Sequence, residues 1–180
     1  MPSSDCSSAR GCGATGEREG HARAAALKQP RVSVTGGEPL VFPEFVHAFG
    51  KAVRDQGMRL HLETAAIDPG ALERCINQVD HLSADFKLPE TLAEPQRKDL
   101  LLMPGRNYGD LHVRCCEVGL RRGATVDVKL VLTDRVQDPS FEQALEQPQP
   151  LRDKILLVLQ PVTPCGPVKR SLPASDLERC

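Results

Sequence analysis

The sequence predicts an α/β protein built on a parallel sheet. Five short segments rich in Val, Leu and Ile have the pattern of strands, and segments of helical period lie between them. Strands and helices that alternate through short connections form right-handed βα units, which make the strands parallel. At 180 residues, the chain is long enough for one such domain with a sizeable core.

The first predicted strand, residues 31–34, leads through a glycine loop into a helix from Pro43 to about Gln56. Gly57 ends this helix, because glycine readily adopts the left-handed conformation that follows a helix. Gly50 inside the helix costs roughly 1 kcal/mol relative to Ala. One face of the helix is apolar at helical spacing, through Phe45, Val46, Phe49, Ala52 and Val53.

The later elements continue the same alternation. Asp68 is the predicted N-cap of a helix that has Pro69 at its first position. The other predicted strands are 58–63, 79–86, 124–132 and 155–160, and the other predicted helices are 107–121, 139–145 and a last one starting at 175–178.

The domain organisation follows from composition. Residues 1–29 are rich in Ser, Gly, Ala and charge without periodicity, so we expect them to be disordered. Residues 30–180 form the predicted folded domain.

Composition also excludes several function classes. The net charge of −1 argues against a nucleic-acid or anionic membrane surface. No apolar run is long enough to span a bilayer, and no apolar signal segment is present, so we expect a cytoplasmic protein. The seven cysteines lack the regular spacing of a disulfide framework.

The glycine loop Val34-Thr-Gly-Gly-Glu-Pro-Leu-Val41 is the most informative motif. Gly36 and Gly37 permit positive φ and close approach of a ligand to the main chain. Pro39 stiffens the loop, and Glu38 adds a carboxylate, so the loop could accept hydrogen bonds from an ammonium group. A tight turn with a surface Glu is an equally good interpretation.

Charged side chains also cluster near predicted strand ends. Asp85 and Lys87 share one face of their strand, either as ligand contacts or as a local ion pair. Asp127 and Lys129 share a face in mid-strand, where we expect pairing with each other or with Glu63, because an unpaired interior charge is costly.

Taken in order, G-G-E-P, Glu63-Thr64, D-F-K-L-P at 85–89 and L-Q-P-V-T-P at 159–164 resemble the radical S-adenosylmethionine superfamily. The likeness covers about residues 31–170. Within the superfamily it favours the 7-carboxy-7-deazaguanine synthases, with glycyl-radical-enzyme activases next. The resemblance implies a partial (β/α) barrel of six strands, which this chain would form without the first strand.

The resemblance also implies ligands and roles. The chain would bind S-adenosylmethionine, with Gly36, Gly37, Glu38 and Pro39 at the methionyl ammonium and Lys87 at the methionyl carboxylate. Further contacts implied by the resemblance come from Glu63, Thr64, Asp85 and Gln160. A [4Fe–4S] cluster, Mg²⁺ and an electron donor such as flavodoxin are expected. The implied reaction is the ring contraction of 6-carboxy-tetrahydropterin in queuosine and 7-deazapurine biosynthesis.

One departure from the superfamily is clear. Its C-x-x-x-C-x-x-C motif is absent, and only Cys6 and Cys12, with five residues between them, precede the glycine loop. A cluster that keeps one iron open needs three thiolates. A non-catalytic fragment is therefore a third interpretation.

Without the first strand, the edge at 31–34 would favour self-association or a homodimer.

No metal site is predicted from the residues themselves. The adjacent Cys115 and Cys116 do not face the same way on a helix, so a core position is the better interpretation. The spacing of His47, His61, His81 and His112 matches no metal motif.

We predict that anaerobic reconstitution of this chain with iron and sulfide will not give a stable [4Fe–4S] cluster, because Cys6 and Cys12 lie in a segment predicted to be disordered. Iron analysis and visible absorption check this. Stoichiometric iron with the spectrum of a site-differentiated cluster would contradict it.

Overall fold

The computed structural model describes residues 30–92, 107–133, 136 and 138–164. In this part of the chain, five strands form one parallel sheet in the order β1-β2-β3-β4-β5. The predicted α/β class and parallel sheet are confirmed. The strands are β1 (Arg31–Val34), β2 (Arg59–Thr64), β3 (His81–Phe86), β4 (Thr125–Leu132) and β5 (Ile155–Pro161).

In the described residues, four helices lie between the strands. The second begins where Asp68 accepts a hydrogen bond from the Ala71 amide at 2.8 Å, which confirms the predicted N-cap. Short 3₁₀ turns lie at Pro39–Val41, Ile76–Gln78, Pro89–Thr91 and Gln149–Leu151. The helices are α1 (Pro43–Asp55), α2 (Pro69–Cys75), α3 (Gly109–Arg121) and α4 (Asp138–Glu146).

Several predicted boundaries shift for local reasons. The strand expected from residue 79 begins at His81, because the Val79 amide still bonds Ile76 and completes the preceding 3₁₀ turn. The helix expected from 107 begins at Gly109, whose amide donates to the Asn107 side chain at 2.8 Å. The predicted segment 1–29 and the predicted helix at 175–178 lie outside the described residues.

The two faces of the sheet differ in chemistry. The helix-packed face is apolar and almost fully buried, and its side chains are Leu60, Leu62, Leu82, Ala84, Val126, Val128, Leu130 and Leu132. The opposite face, called the inner face here, is polar and consists mainly of Ser33, His61, Glu63, His81, Ser83, Asp85, Asp127 and Lys129. Parallel pairing in register keeps the two sets on opposite sides, because strand side chains alternate.

Helix α1 lies close to the apolar face at Gly50. A Cβ added there would meet Gln78 Cβ at 2.6 Å and Leu60 Cδ2 at 2.8 Å. The glycine that is unfavourable for the helix is therefore what allows α1 to approach the sheet.

In the described residues, no helix combines the length and hydropathy needed to cross a membrane.

We predict that Gly50→Ala lowers the free energy of unfolding by about 1–3 kcal/mol, because overpacking outweighs the better helix propensity of Ala. Chemical denaturation measures this. Gly70→Ala is the matched control, since its Cβ would lie 3.5 Å from Asp68 Oδ1, an ordinary contact. Equal stability of Gly50→Ala and wild type would contradict the packing argument.

Candidate functional site

The glycine loop follows β1 at the C-terminal edge of the sheet. Gly36 and Gly37 have φ values of +87° and +55°, in the left-handed region that favours glycine. An added Cβ at either position would meet no atom within 4 Å. The backbone conformation, and not crowding, requires glycine here, and the loop backbone remains accessible.

Glu38 ties this loop to the end of β2. Its Oε1 accepts hydrogen bonds from the Leu40 amide at 3.0 Å and from the Thr64 hydroxyl, and its Oε2 accepts one from the Ala65 amide at 2.8 Å. An ionised carboxylate offers about four acceptor positions, so these three bonds use most of its capacity. Glu38 is thus first a positioning residue for the loop.

The turn after β2 contains a strained residue. Ala66 has φ +51°, which costs a non-glycine residue about 1–2 kcal/mol. Its amide donates to Thr64 Oγ1 at 3.1 Å, and the Ala65 amide is held by Glu38. The Ala65-Ala66 pair is therefore held by these hydrogen bonds in a left-handed turn of the kind that favours glycine.

Four charged residues form ion pairs near the same edge. Lys129 donates to Glu63, which confirms the predicted pairing across the inner face, and Lys87 donates to Asp85. Asp85 Oδ1 is buried and has no hydrogen-bond partner among the described residues. Because a buried acceptor without a partner is costly, this oxygen suits a ligand donor.

The structure brings together most of the predicted site. Gly36, Gly37 and Glu38 follow β1, and Glu63, Asp85 and Lys87 lie at the C-terminal ends of β2 and β3. Gln160 is exposed near the end of β5, opposite Val131. Thr64 instead lies on the helix-packed face, where its hydroxyl serves Glu38, and Pro39 is buried at the start of a 3₁₀ turn.

Sequence reasoning assigned no role to His112, which supports this edge from α3. His112 is 1% exposed and stacks on Phe86 with ring centroids 4.4 Å apart. Burial lowers its pKa to about 4, the charge of Lys87 also lowers it, and a hydrogen bond with the Ala65 backbone opposes both effects. His112 therefore joins α3 to the turn that Glu38 holds.

The described cysteines do not fit an iron–sulfur cluster. Cys75, Cys115 and Cys116 are fully buried among the helices. Burial raises the pKa of Cys75 to about 11 and that of Cys116 to about 12, and it raises the pKa of Cys115 as well. Cluster ligands must be thiolates, so these three thiols are unsuitable. The predicted core position of Cys115 and Cys116 is confirmed, and the other four cysteines lie outside the described residues.

The polar groups do fit S-adenosylmethionine. The accessible glycine loop, the unpartnered Asp85 oxygen and the Lys87 ammonium lie at the ends of neighbouring strands. A zwitterionic methionyl group needs acceptors for its ammonium and a cation for its carboxylate. In parallel α/β folds, such groups collect at this edge.

No protein-family model matches the chain. Curated relatives do match: it is 29% identical over 147 residues to the 7-carboxy-7-deazaguanine synthase of Geobacter sulfurreducens, covering 82% of this chain and 53% of the relative. The synthase of Methanopyrus kandleri is 34% identical over 116 residues, covering 64% and 41%. This chain is similar to the 7-carboxy-7-deazaguanine synthases. The resemblance stated from the sequence is confirmed.

The match is partial, because the chain spans about half the length of these relatives. The same holds for the synthase of Methanothermobacter thermautotrophicus, which is 26% identical and is matched over 55% of its length.

Two solved structures of Streptococcus suis SuiB, one bound to S-adenosylmethionine, superpose with TM-scores of 0.59 at 13% and 16% identity. They cover 95% and 94% of this chain and 39% of each SuiB chain. At that identity they show the fold alone, which is that of a partial β/α barrel.

We predict that stability falls by about 3 kcal/mol between pH 6.5 and pH 4 because of His112. Its folded-state pKa of about 4 lies below the ordinary value of 6.5, so in this window the unfolded chain binds a proton that the folded chain excludes. The contribution is complete above pH 6.5 and is lost as the pH falls.

Urea denaturation at several pH values tests this prediction. His112→Phe, which retains an aromatic ring against Phe86, should lose most of this pH dependence. His47→Gln, on the partly exposed surface of α1, is the matched control and should keep it. Identical pH profiles for wild type and His112→Phe would contradict the assignment.

Proposed function

We propose that this chain forms the S-adenosylmethionine-binding part of a radical S-adenosylmethionine lyase of the 7-carboxy-7-deazaguanine synthase type. The hydrogen bonds of Glu38 to Leu40, Thr64 and Ala65 carry the proposal, because they hold the glycine loop beside the ends of the neighbouring strands. In a simple surface turn, the Glu38 carboxylate would not need to accept hydrogen bonds from Thr64 and Ala65 at the end of β2.

The proposal assigns a task to each group. The accessible loop backbone and the remaining acceptor position of Glu38 bind the methionyl ammonium, and Lys87 binds the methionyl carboxylate. Asp85 Oδ1 accepts a hydrogen bond from the ligand, and Gln160 supplies an amide from the far edge. Glu63, neutralised by Lys129, keeps the inner face free of uncompensated charge.

The substrate class follows from the family resemblance seen in the sequence. On that pattern the substrate is 6-carboxy-tetrahydropterin, and S-adenosylmethionine, when bound, would supply hydrogen abstraction. The polar inner face suits such a heterocycle, since it offers both donors and acceptors. The described thiols are buried and the pKa values of Cys75 and Cys116 are raised, so they do not suit the ligand positions of an iron–sulfur cluster.

That same observation favours a second candidate, a non-catalytic protein that binds S-adenosylmethionine. It requires the loop, Asp85 and Lys87 but no cluster. An anaerobic assay of the reconstituted chain tests the second candidate, because reductive cleavage of S-adenosylmethionine would contradict it.

We predict that Glu38→Ala weakens S-adenosylmethionine binding by roughly tenfold to a hundredfold, since charge-assisted hydrogen bonds contribute about 1.5–3 kcal/mol each. Lys87→Ala should weaken binding by a similar factor. Isothermal titration calorimetry on the full chain measures both.

The control is Lys51→Ala, which removes an exposed lysine on α1 that pairs with Asp55 at 2.9 Å and should leave affinity unchanged. Glu38→Gln keeps one carbonyl oxygen and should retain more affinity than Glu38→Ala. Circular dichroism confirms that each variant is folded. Equal affinities of wild type and Glu38→Ala would reduce the glycine loop to a simple turn.

A further inference from the structure

Three potential metal ligands from three neighbouring strands meet on the inner face. His61 lies on β2, His81 on β3 and Asp127 on β4, and one ligand atom from each lies within 4.8 Å of the others. His61 and His81 are direct partners in the parallel register, and Asp127 is paired with Ser83, two residues beyond His81. The imidazole centroids are 4.7 Å apart.

Two serines orient this cluster. Ser33 Oγ lies 3.0 Å from His61 Nδ1, and the Ser83 hydroxyl donates to Asp127 Oδ2. Metal-binding imidazoles and carboxylates typically have such partners on the atoms that do not bind the metal. In this structure, the serines contact His61 Nδ1 and Asp127 Oδ2, so His61 Nε2 and Asp127 Oδ1 are the atoms that do not bond to a serine.

The cluster also contains an unsatisfied group. His61 Nε2 is buried and has no hydrogen-bond partner among the described residues. His81 Nε2 and Asp127 Oδ1 form a hydrogen bond with each other. Because buried polar atoms normally have partners, the unpartnered nitrogen beside a histidine–carboxylate pair is suited to binding a ligand.

We propose that His61, His81 and Asp127 bind one divalent first-row transition-metal ion of the Zn²⁺ or Fe²⁺ class. Two imidazoles and one carboxylate suit these ions and leave coordination positions open for a further ligand. Mg²⁺ prefers oxygen ligands, so this site is distinct from the magnesium expected by family resemblance.

Charges of both signs surround the cluster. Asp127 is its carboxylate ligand, and Glu63, two residues beyond His61 and opposite Ser83 in the register, is paired with Lys129. Arg31 opposes them, and with Arg59, Asp80, His81 and Thr125 it lines a cavity of about 250 Å³ beside the cluster.

The test titrates the full, untagged chain with Zn²⁺ by calorimetry and with Co²⁺ by visible absorption, without iron or sulfide. We expect one equivalent of metal to bind, with a cobalt spectrum of nitrogen and oxygen ligands and no intense thiolate charge-transfer band.

Substitutions locate the site. Asp127→Asn and His81→Gln should each weaken Zn²⁺ binding by at least about a hundredfold, and Ser33→Ala, which removes only an orienting partner, by roughly tenfold. His47→Gln on α1 is the control and should bind as wild type. Circular dichroism and melting curves confirm that each variant is folded.

Two results would overturn the proposal: no stoichiometric Zn²⁺ binding by the folded chain, or a cobalt spectrum dominated by thiolate. The cobalt spectrum is recorded on wild type, so it decides the question even if a variant fails to fold. Binding of S-adenosylmethionine is measured separately, and its presence or absence has no bearing on this outcome.

Discussion

The carboxylate of Glu38 is the interaction on which the candidate site depends. It joins the loop after β1 to the end of β2, two segments that are 26 residues apart in the chain. Without it, the Thr64 hydroxyl and the Ala65 amide would lose their acceptor, and the strained turn at Ala66 would lose its support. One acid thereby holds two neighbouring strand ends at a fixed separation, which a ligand that contacts both requires.

The polar inner face imposes the second constraint. A sheet with helices on one side can hold polar side chains on the other only if their charges are paired, because unpaired buried charges are costly. Glu63 pairs with Lys129, Asp85 with Lys87, and Asp127 with both His81 and Ser83. Among the described residues, the unpartnered buried atoms of this face are Asp85 Oδ1 and His61 Nε2, one at each proposed ligand site, and a third such atom, His112 Nε2, belongs to α3.

These two places are at different heights in the sheet. Asp85 belongs to the C-terminal ends of the strands, where parallel α/β proteins bind their ligands, whereas His61 and His81 lie nearer the strand starts. The chain spans about half the length of the curated relatives that it matches. The fold shared with SuiB accounts for the scaffold on which both sites lie.

The sequence by itself determined the elements and the loop. Alternating apolar residues and helix caps act over a few residues, so the strands, α1 and the glycine loop follow from local pattern, and β-strand period places Asp85 and Lys87 together. Only the tertiary structure decided that Glu38 bonds Thr64 and Ala65, that Gly50 lies against Gln78, and that His61 meets His81 and Asp127. His81 and Asp127 are 46 residues apart, and their contact depends on the register between parallel strands, which no local spacing records.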